Sequence, residues 1–157
     1  QGESPGQVGS LMARADFAFF HRFRVRWSEV DPQGVVFNAR YLDYADIAIT
    51  EYYRETGFRE AHTDEPLEFH VKRAVVTWTR PIMADEMIEV MARTVRAGTT
   101  SLTQLVEIHG ANDTDEDDLR AEVELVNVHV DLASHRPMPL PEWLVSAFTA
   151  FDSRSSG

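Results

Sequence analysis

The sequence predicts an α+β domain in which a curled antiparallel sheet of about five strands wraps one long helix. Three observations predict it. Residues 39–56 hold one stretch of helical periodicity with neither Gly nor Pro, a strand-like alternation precedes it at 17–27, and four further alternating stretches follow at 69–79, 87–96, 101–109 and 120–131. A lone helix beside five strands has to lie across the sheet to bury its apolar stripe, and the sheet has to curl around it.

At 17–27, Phe23, Val25 and Trp27 share one face and Arg22, Arg24 and Arg26 the other, the period of a half-buried strand. A loop is expected over 28–37. The helix carries Tyr41, Leu42, Ala45, Ala48, Ile49 and Tyr52 at amphipathic spacings, with Asn38 suited to cap its start and Gly57 to end it. Its length is about 18 residues, or roughly 27 Å at 1.5 Å per residue. A polar connection, 58–66, leads to the four later strands, read as a hairpin meander. Gly98, Thr99 and Thr100 make a short turn and the acidic run 113–118 a longer one. Pro137, Pro139 and Pro141 break the sheet, and 142–151 suits a short closing helix. Residues 1–11 are rich in Gly, Ser and Pro, so 1–15 is read as a disordered lead-in or cloning remnant, 16–151 as one domain and 152–157 as a flexible tail.

Composition narrows the function. The 157 residues are 43% hydrophobic and 26% charged, which suits one globular domain with a substantial core. The absence of Cys removes disulfides, thiol nucleophiles and zinc–thiolate sites. With 15 Lys and Arg against 26 Asp and Glu the net charge is -11, a field that repels nucleic acid and anionic membranes. No apolar stretch reaches the roughly 18 residues of a membrane helix, and the basic-then-apolar layout of a signal peptide is missing, so a cytoplasmic protein is expected. His21, His62, His70, His109, His129 and His135 are scattered without ligand spacing, and no metal or other cofactor is expected. The 113–118 run lacks the Gly and terminal Glu of a calcium loop and reads as a solvated turn. Apolar edge strands favour pairing with a second copy, so a homodimer or homotetramer is expected.

The chemistry concentrates between Trp27 and Tyr44. Asp31-Pro32-Gln33-Gly34 has turn chemistry, and Val35, Val36 and Phe37 lead from it into the helix start. A helix start presents unpaired N–H groups and about half a positive charge. A carbonyl lodged there is polarised, and a nearby carboxylate can attack its carbon or activate water. Read alone, Asp31 is a turn former before it is a catalyst, Asn38 is a cap that orients the same amides, and Arg40 is equally a surface residue.

This stretch resembles the hotdog-fold acyl-CoA thioesterases of the 4-hydroxybenzoyl-CoA thioesterase type. Trp27, Ser28, Asp31, Gly34, Val36, Asn38, Tyr41 and Leu42 match the signature of that family. Arg80-Pro81-Ile82 with Asp85, and Thr100-Ser101-Leu102, match weaker later segments, and the likeness spans about 17–130. The resemblance implies a hotdog fold and hydrolysis of an acyl thioester carried by coenzyme A or an acyl carrier protein. It implies Asp31 as nucleophile or general base, the backbone N–H of Asn38 as the group polarising the carbonyl, and Gly34, Val35, Val36, Phe37, Arg40 and Tyr41 as substrate-binding residues. Many members carry His where this chain has Asn38, so His-assisted proton transfer is not implied.

Other readings remain beside it. Hydration or dehydration of acyl thioesters needs a His at the helix start, and a non-catalytic acyl-thioester binding module needs an output surface. Arg22, Arg24 and Arg26 are expected to neutralise Glu122 and Glu124 if the first and last strands pair, and Tyr44, Tyr52 and Tyr53 to pack the helix.

Overall fold

The computed structural model describes residues 14–57, 67–111 and 116–155. Residues 1–13 of the expected lead-in, the connection 58–66 and half of the acidic run, 113–115, lie outside them. Strands β1 (Phe19–Arg24), β2 (Phe69–Trp78), β3 (Met87–Ala97), β4 (Ser101–Gly110) and β5 (Leu119–His129) form one sheet in the order β1-β3-β4-β5-β2. Every neighbouring pair is antiparallel. Helix α1 (Arg40–Thr56) lies against the sheet, and α2 (Glu142–Asp152) closes the far end. This is a hotdog architecture.

Two expectations about pairing are corrected. Only β3, β4 and β5 form a meander: β2 sits at the edge beside β5, so the chain must cross from one side of the sheet toward the other between Trp78 and Met87. The Arg22, Arg24 and Arg26 face does not meet Glu122 and Glu124 either, because β1 pairs with β3 and β5 does not touch it in the sheet. Arg22 stands opposite Glu89 and donates to it at 2.6 Å.

Helix α1 buries Tyr41, Tyr44, Ala45, Ala48, Tyr52 and Tyr53, one stripe at i, i+3, i+4, i+7, i+11 and i+12. Leu42, expected on that stripe, is exposed, and Tyr44 takes its place in the core. The stripe meets Ile88, Val90 and Ala92 of β3, Val106 and Ile108 of β4, and Val123 of β5. Tyr52 stacks on Phe148 of α2 with ring centroids 5.3 Å apart, a contact worth about 0.5–1.5 kcal/mol beyond burial. Its hydroxyl donates to Asp152 at 2.9 Å, and the Thr94 amide donates to the same carboxylate at 3.0 Å, so α2 runs one residue past the expected Phe151. Gly57 ends α1 as expected, in a left-handed conformation.

The opposite face of the sheet carries a buried acid pair. Glu107 on β4 and Glu122 on β5 stand directly across the ladder, and each has one carboxylate oxygen without a hydrogen bond among the described residues. His109 accepts the Asp118 amide proton on Nδ1, so its Nε2 carries the hydrogen and donates to Glu107 at 2.9 Å. Burial pushes both carboxyls above the ordinary glutamate value of 4.5. Glu107 is raised further by Asp117 and Asp16 and lowered by His109; Glu122 is raised further by Glu107. A group whose folded pKa is raised contributes stability below its unfolded value and loses it as pH climbs through the folded value. Stability should therefore decline as pH rises above about 4.5 through the raised values, and Glu122→Gln should flatten that decline. Urea denaturation at a series of pH values measures the slope; an unchanged slope in the variant would contradict it.

Candidate active site

The segment between β1 and α1 folds back on itself. Val30 bridges Val36, Phe37 donates its amide to the Glu29 carbonyl at 3.1 Å, and Asp31 donates to the Val35 carbonyl at 2.8 Å. At the tip, Gly34 donates to the Asp31 carbonyl at 2.9 Å and adopts φ +80°. That is a type of short hairpin in which one left-handed residue follows the turn, a place suited to Gly. The Asp31 carboxylate accepts the Gln33 amide on Oδ1 at 2.8 Å. Among the described residues Oδ2 has no partner.

Helix α1 begins later than the sequence predicts. Its N-cap is Ala39, with no side-chain cap, and not Asn38. The reason is local: Arg40 donates to the Phe37 carbonyl at 2.9 Å and Tyr41 to the Asn38 carbonyl at 3.4 Å, a tightened entry turn that satisfies the helical amides from the backbone. The amides of Asn38 and Ala39 are left with no acceptor among the described residues.

Asn38 lines a cleft of about 220 Å³ together with Val35, Val36, Tyr41, Trp78, Thr79, Arg80 and Pro81. Tyr41 and Trp78 meet edge to face with centroids 6.1 Å apart and form its aromatic wall. Burial pushes the Tyr41 hydroxyl above its ordinary pKa, against the lowering pull of an Ile82 backbone hydrogen bond and the Arg120 charge, so the phenol stays protonated. A larger cleft of about 690 Å³ lies between β1 and α1, with Phe23, Ile47, Arg24 and Asp85 in its lining. Its Arg24 is already bonded to the Asp85 carbonyl at 2.7 Å, and neither Asn38 nor Ala39 lines it.

Of the residues singled out in the sequence, Val35, Val36, Asn38 and Tyr41 share the smaller cleft. Asp31 and Gly34 form the adjoining hairpin tip, outside the lining within one protomer. Phe37 is exposed, and Arg40 pairs with Asp43 at 3.2 Å on the outside of the helix. Sequence reasoning missed Trp78, Thr79 and Arg80. The alternation of β2 carried a signal: Ala74, Val76 and Trp78 pair with the core-facing Leu125, Val123 and Ala121, which turns Trp78 toward the helix side.

A profile of the thioesterase-like superfamily matches residues 25–148. The chain belongs to that superfamily. This thioesterase-like chain is 31% identical over 126 residues to a protein of Escherichia coli O6:H1 named acyl-CoA thioester hydrolase YbgC, covering 80% of this chain and 91% of the relative. The crystal structure of a Thermus thermophilus thioesterase complexed with coenzyme A and Zn superposes with a TM-score of 0.72 at 29% identity, over 88% of this chain and 97% of that one. The PA5185 protein of Pseudomonas aeruginosa shares the fold, with a TM-score of 0.76 at 24% identity over 88% and 94% of the two chains.

A Cβ at Gly34 meets nothing within 4 Å, so a substitution there acts through backbone conformation alone. Gly34→Ala should cost about 1–2 kcal/mol, the penalty of a left-handed residue with a side chain, read as a lowered urea midpoint. A midpoint equal to that of the wild type would show that the tip tolerates another geometry.

Proposed function

We propose that this protein is a thioesterase that hydrolyses acyl-CoA thioesters, with Asp31 as nucleophile or general base and the Asn38 amide as oxyanion donor. The observation that carries the reading is Asn38, whose amide has no acceptor among the described residues, in the lining of an aliphatic and aromatic cleft directly after the hairpin whose tip holds Asp31. The names of the Escherichia coli relative and of the Thermus structure support the coenzyme A part of it.

The acyl group sits against Val35, Val36, Tyr41 and Trp78, and the carbonyl oxygen faces the Asn38 amide. In the general-base form, Asp31 takes a proton from water as the water oxygen attacks the carbonyl carbon. The tetrahedral intermediate then collapses, breaks the C–S bond and releases the thiolate of coenzyme A, which regains a proton. In the nucleophile form, an Asp31 oxygen attacks instead, and water hydrolyses the resulting anhydride. Positive helix-end potential favours the oxyanion in both forms.

A second copy of the chain completes the site in this reading. Val71 of β2 is 62% exposed and Trp78 is 51% exposed, although both pair with strand residues that face the core. An uncovered apolar edge strand is a template for pairing. Placed against β2, a partner would cover Trp78, deepen the cleft and enclose the Asp31 tip.

Two measurements test this. In a thiol-release assay against a panel of acyl-CoAs, Asp31→Asn should lose about 10²–10⁴-fold in turnover with the fold retained by circular dichroism; near-normal hydrolysis refutes the assignment. Light scattering should give at least a dimer at micromolar concentration, and Val71→Lys should shift it toward monomer. A monomeric wild type removes the partner from the site.

A further inference from the structure

The segment joining β2 to β3 has to pass β5 and β4, three strand spacings or about 14 Å. The eight residues between Trp78 and Met87 span up to about 28 Å when extended, so the crossover has slack and needs ties. Five of those ties lead to one residue, Arg120. The β4–β5 register jumps from Ile108↔Ala121 to His109↔Leu119, which leaves Arg120 as the unpaired bulge residue of β5. A bulge breaks the alternation and re-aims the side chain. The Arg120 guanidinium donates to both oxygens of Glu86, at 2.9 and 2.5 Å, to Asp118 at 2.9 Å and to the Pro81 carbonyl at 3.0 Å. Its own carbonyl accepts the amides of Thr79 and Arg80. Glu86 passes the hold on by accepting the Met83 amide at 2.9 Å. Gly110 leaves the necessary space, because a Cβ there would lie 2.5 Å from Arg120 Nη2.

The crossover in turn holds the hairpin tip. Val36 donates to the Ile82 carbonyl at 2.8 Å, Ala84 donates to the Gly34 carbonyl at 3.2 Å, and Val35 bridges Met83. Asp31 then hangs on Val35 and Gly34 through its own backbone. An unbroken series of hydrogen bonds thus runs from the bulge on β5 to the acid.

We infer that Arg120 and Glu86 are positioning residues for hydrolysis, setting the place of Asp31 through the 79–86 crossover. The inference rests on the proposed role of Asp31. Burial raises the Glu86 carboxyl, but the Arg120 hydrogen bond, the Met83 amide and the charges of Arg120 and Arg80 outweigh it and hold the pKa below the ordinary value, so the tie persists at neutral pH. Displacement of a reacting group by about 1 Å costs on the order of 10²-fold in rate.

The test is a double-mutant cycle on kcat with butyryl-CoA and benzoyl-CoA. Arg120→Ala and Glu86→Gln should each lower kcat by about 10–100-fold with KM changed less than threefold. In the Asp31→Asn background Arg120→Ala should cost nothing further, since the acid it places is gone. Arg120→Lys, which keeps the charge without the fork, should fall between wild type and Arg120→Ala. Glu86→Gln carries the measurement if Arg120→Ala does not fold. Wild-type kcat in Glu86→Gln and Arg120→Lys, or a loss that multiplies in full with that of Asp31→Asn, overturns the positioning role and leaves the Asp31 reading standing. Wild-type turnover in Asp31→Asn removes the Asp31 reading itself, and with it the route from Arg120, whatever Arg120→Ala does.

Discussion

One helix is too narrow for the sheet it lies on. A helix with its side chains is about 10–12 Å across, whereas five strands at about 4.8 Å spacing span roughly 19 Å. Curling narrows that gap without closing it. The tyrosine-rich stripe of α1 settles over β1, β3, β4 and β5, and α2 fills the end of the core with Leu144, Phe148 and Phe151. Strand β2 is left with Val71 and Trp78 facing the helix side but uncovered. The open side of the domain and the candidate cleft are therefore one feature: Trp78 at the end of β2 is the far wall of the space that begins at the start of α1.

The same mismatch explains the polar groups nearby. Because β2 lies at the edge, its link to β3 must cross the sheet, and it does so beneath the entry to α1. There it has no strand of its own to pair with. Its carbonyls and amides are satisfied by the 29–37 hairpin on one side and by Arg120 and Glu86 on the other. A net charge of -11 says little about this region, where Arg120 pairs with Glu86 and Asp118 and Arg80 pairs with Asp118 as well. The acids on the other face are different in kind. Glu107 and Glu122 oppose each other and, among the described residues, are relieved by His109, so this pair is tuned by protons, whereas Glu89 on the same face is held by Arg22.

Much of this was legible before any coordinates. The helix, the strands, the left-handed terminator Gly57 and the Asp31–Gly34 turn follow from periodicities and turn residues that act over a few positions. The likeness around Asp31 and Asn38 pointed to the superfamily that the profile match then established. The errors have a common cause. Arg22, Arg24 and Arg26 had the right alternation but the wrong partner, because a strand's pattern says which face is buried and not which strand lies beside it. Asn38 is a good cap by residue type, yet the backbone had already bonded the amides it would have taken.

By itself, then, the chain's order of residues settled where the backbone coils, extends and turns, since those choices depend on neighbours within about a turn of helix or a pair of strand residues. The tertiary structure alone decided that β2 stands at the edge beside β5, that Trp78 and Arg80 reach the same cleft as Asn38, and that Arg120 leaves the alternation of β5. The first two join segments about 40 or more residues apart, and the third is a register jump of one residue, invisible in any local pattern, that turns a side chain from one face of a sheet to the other.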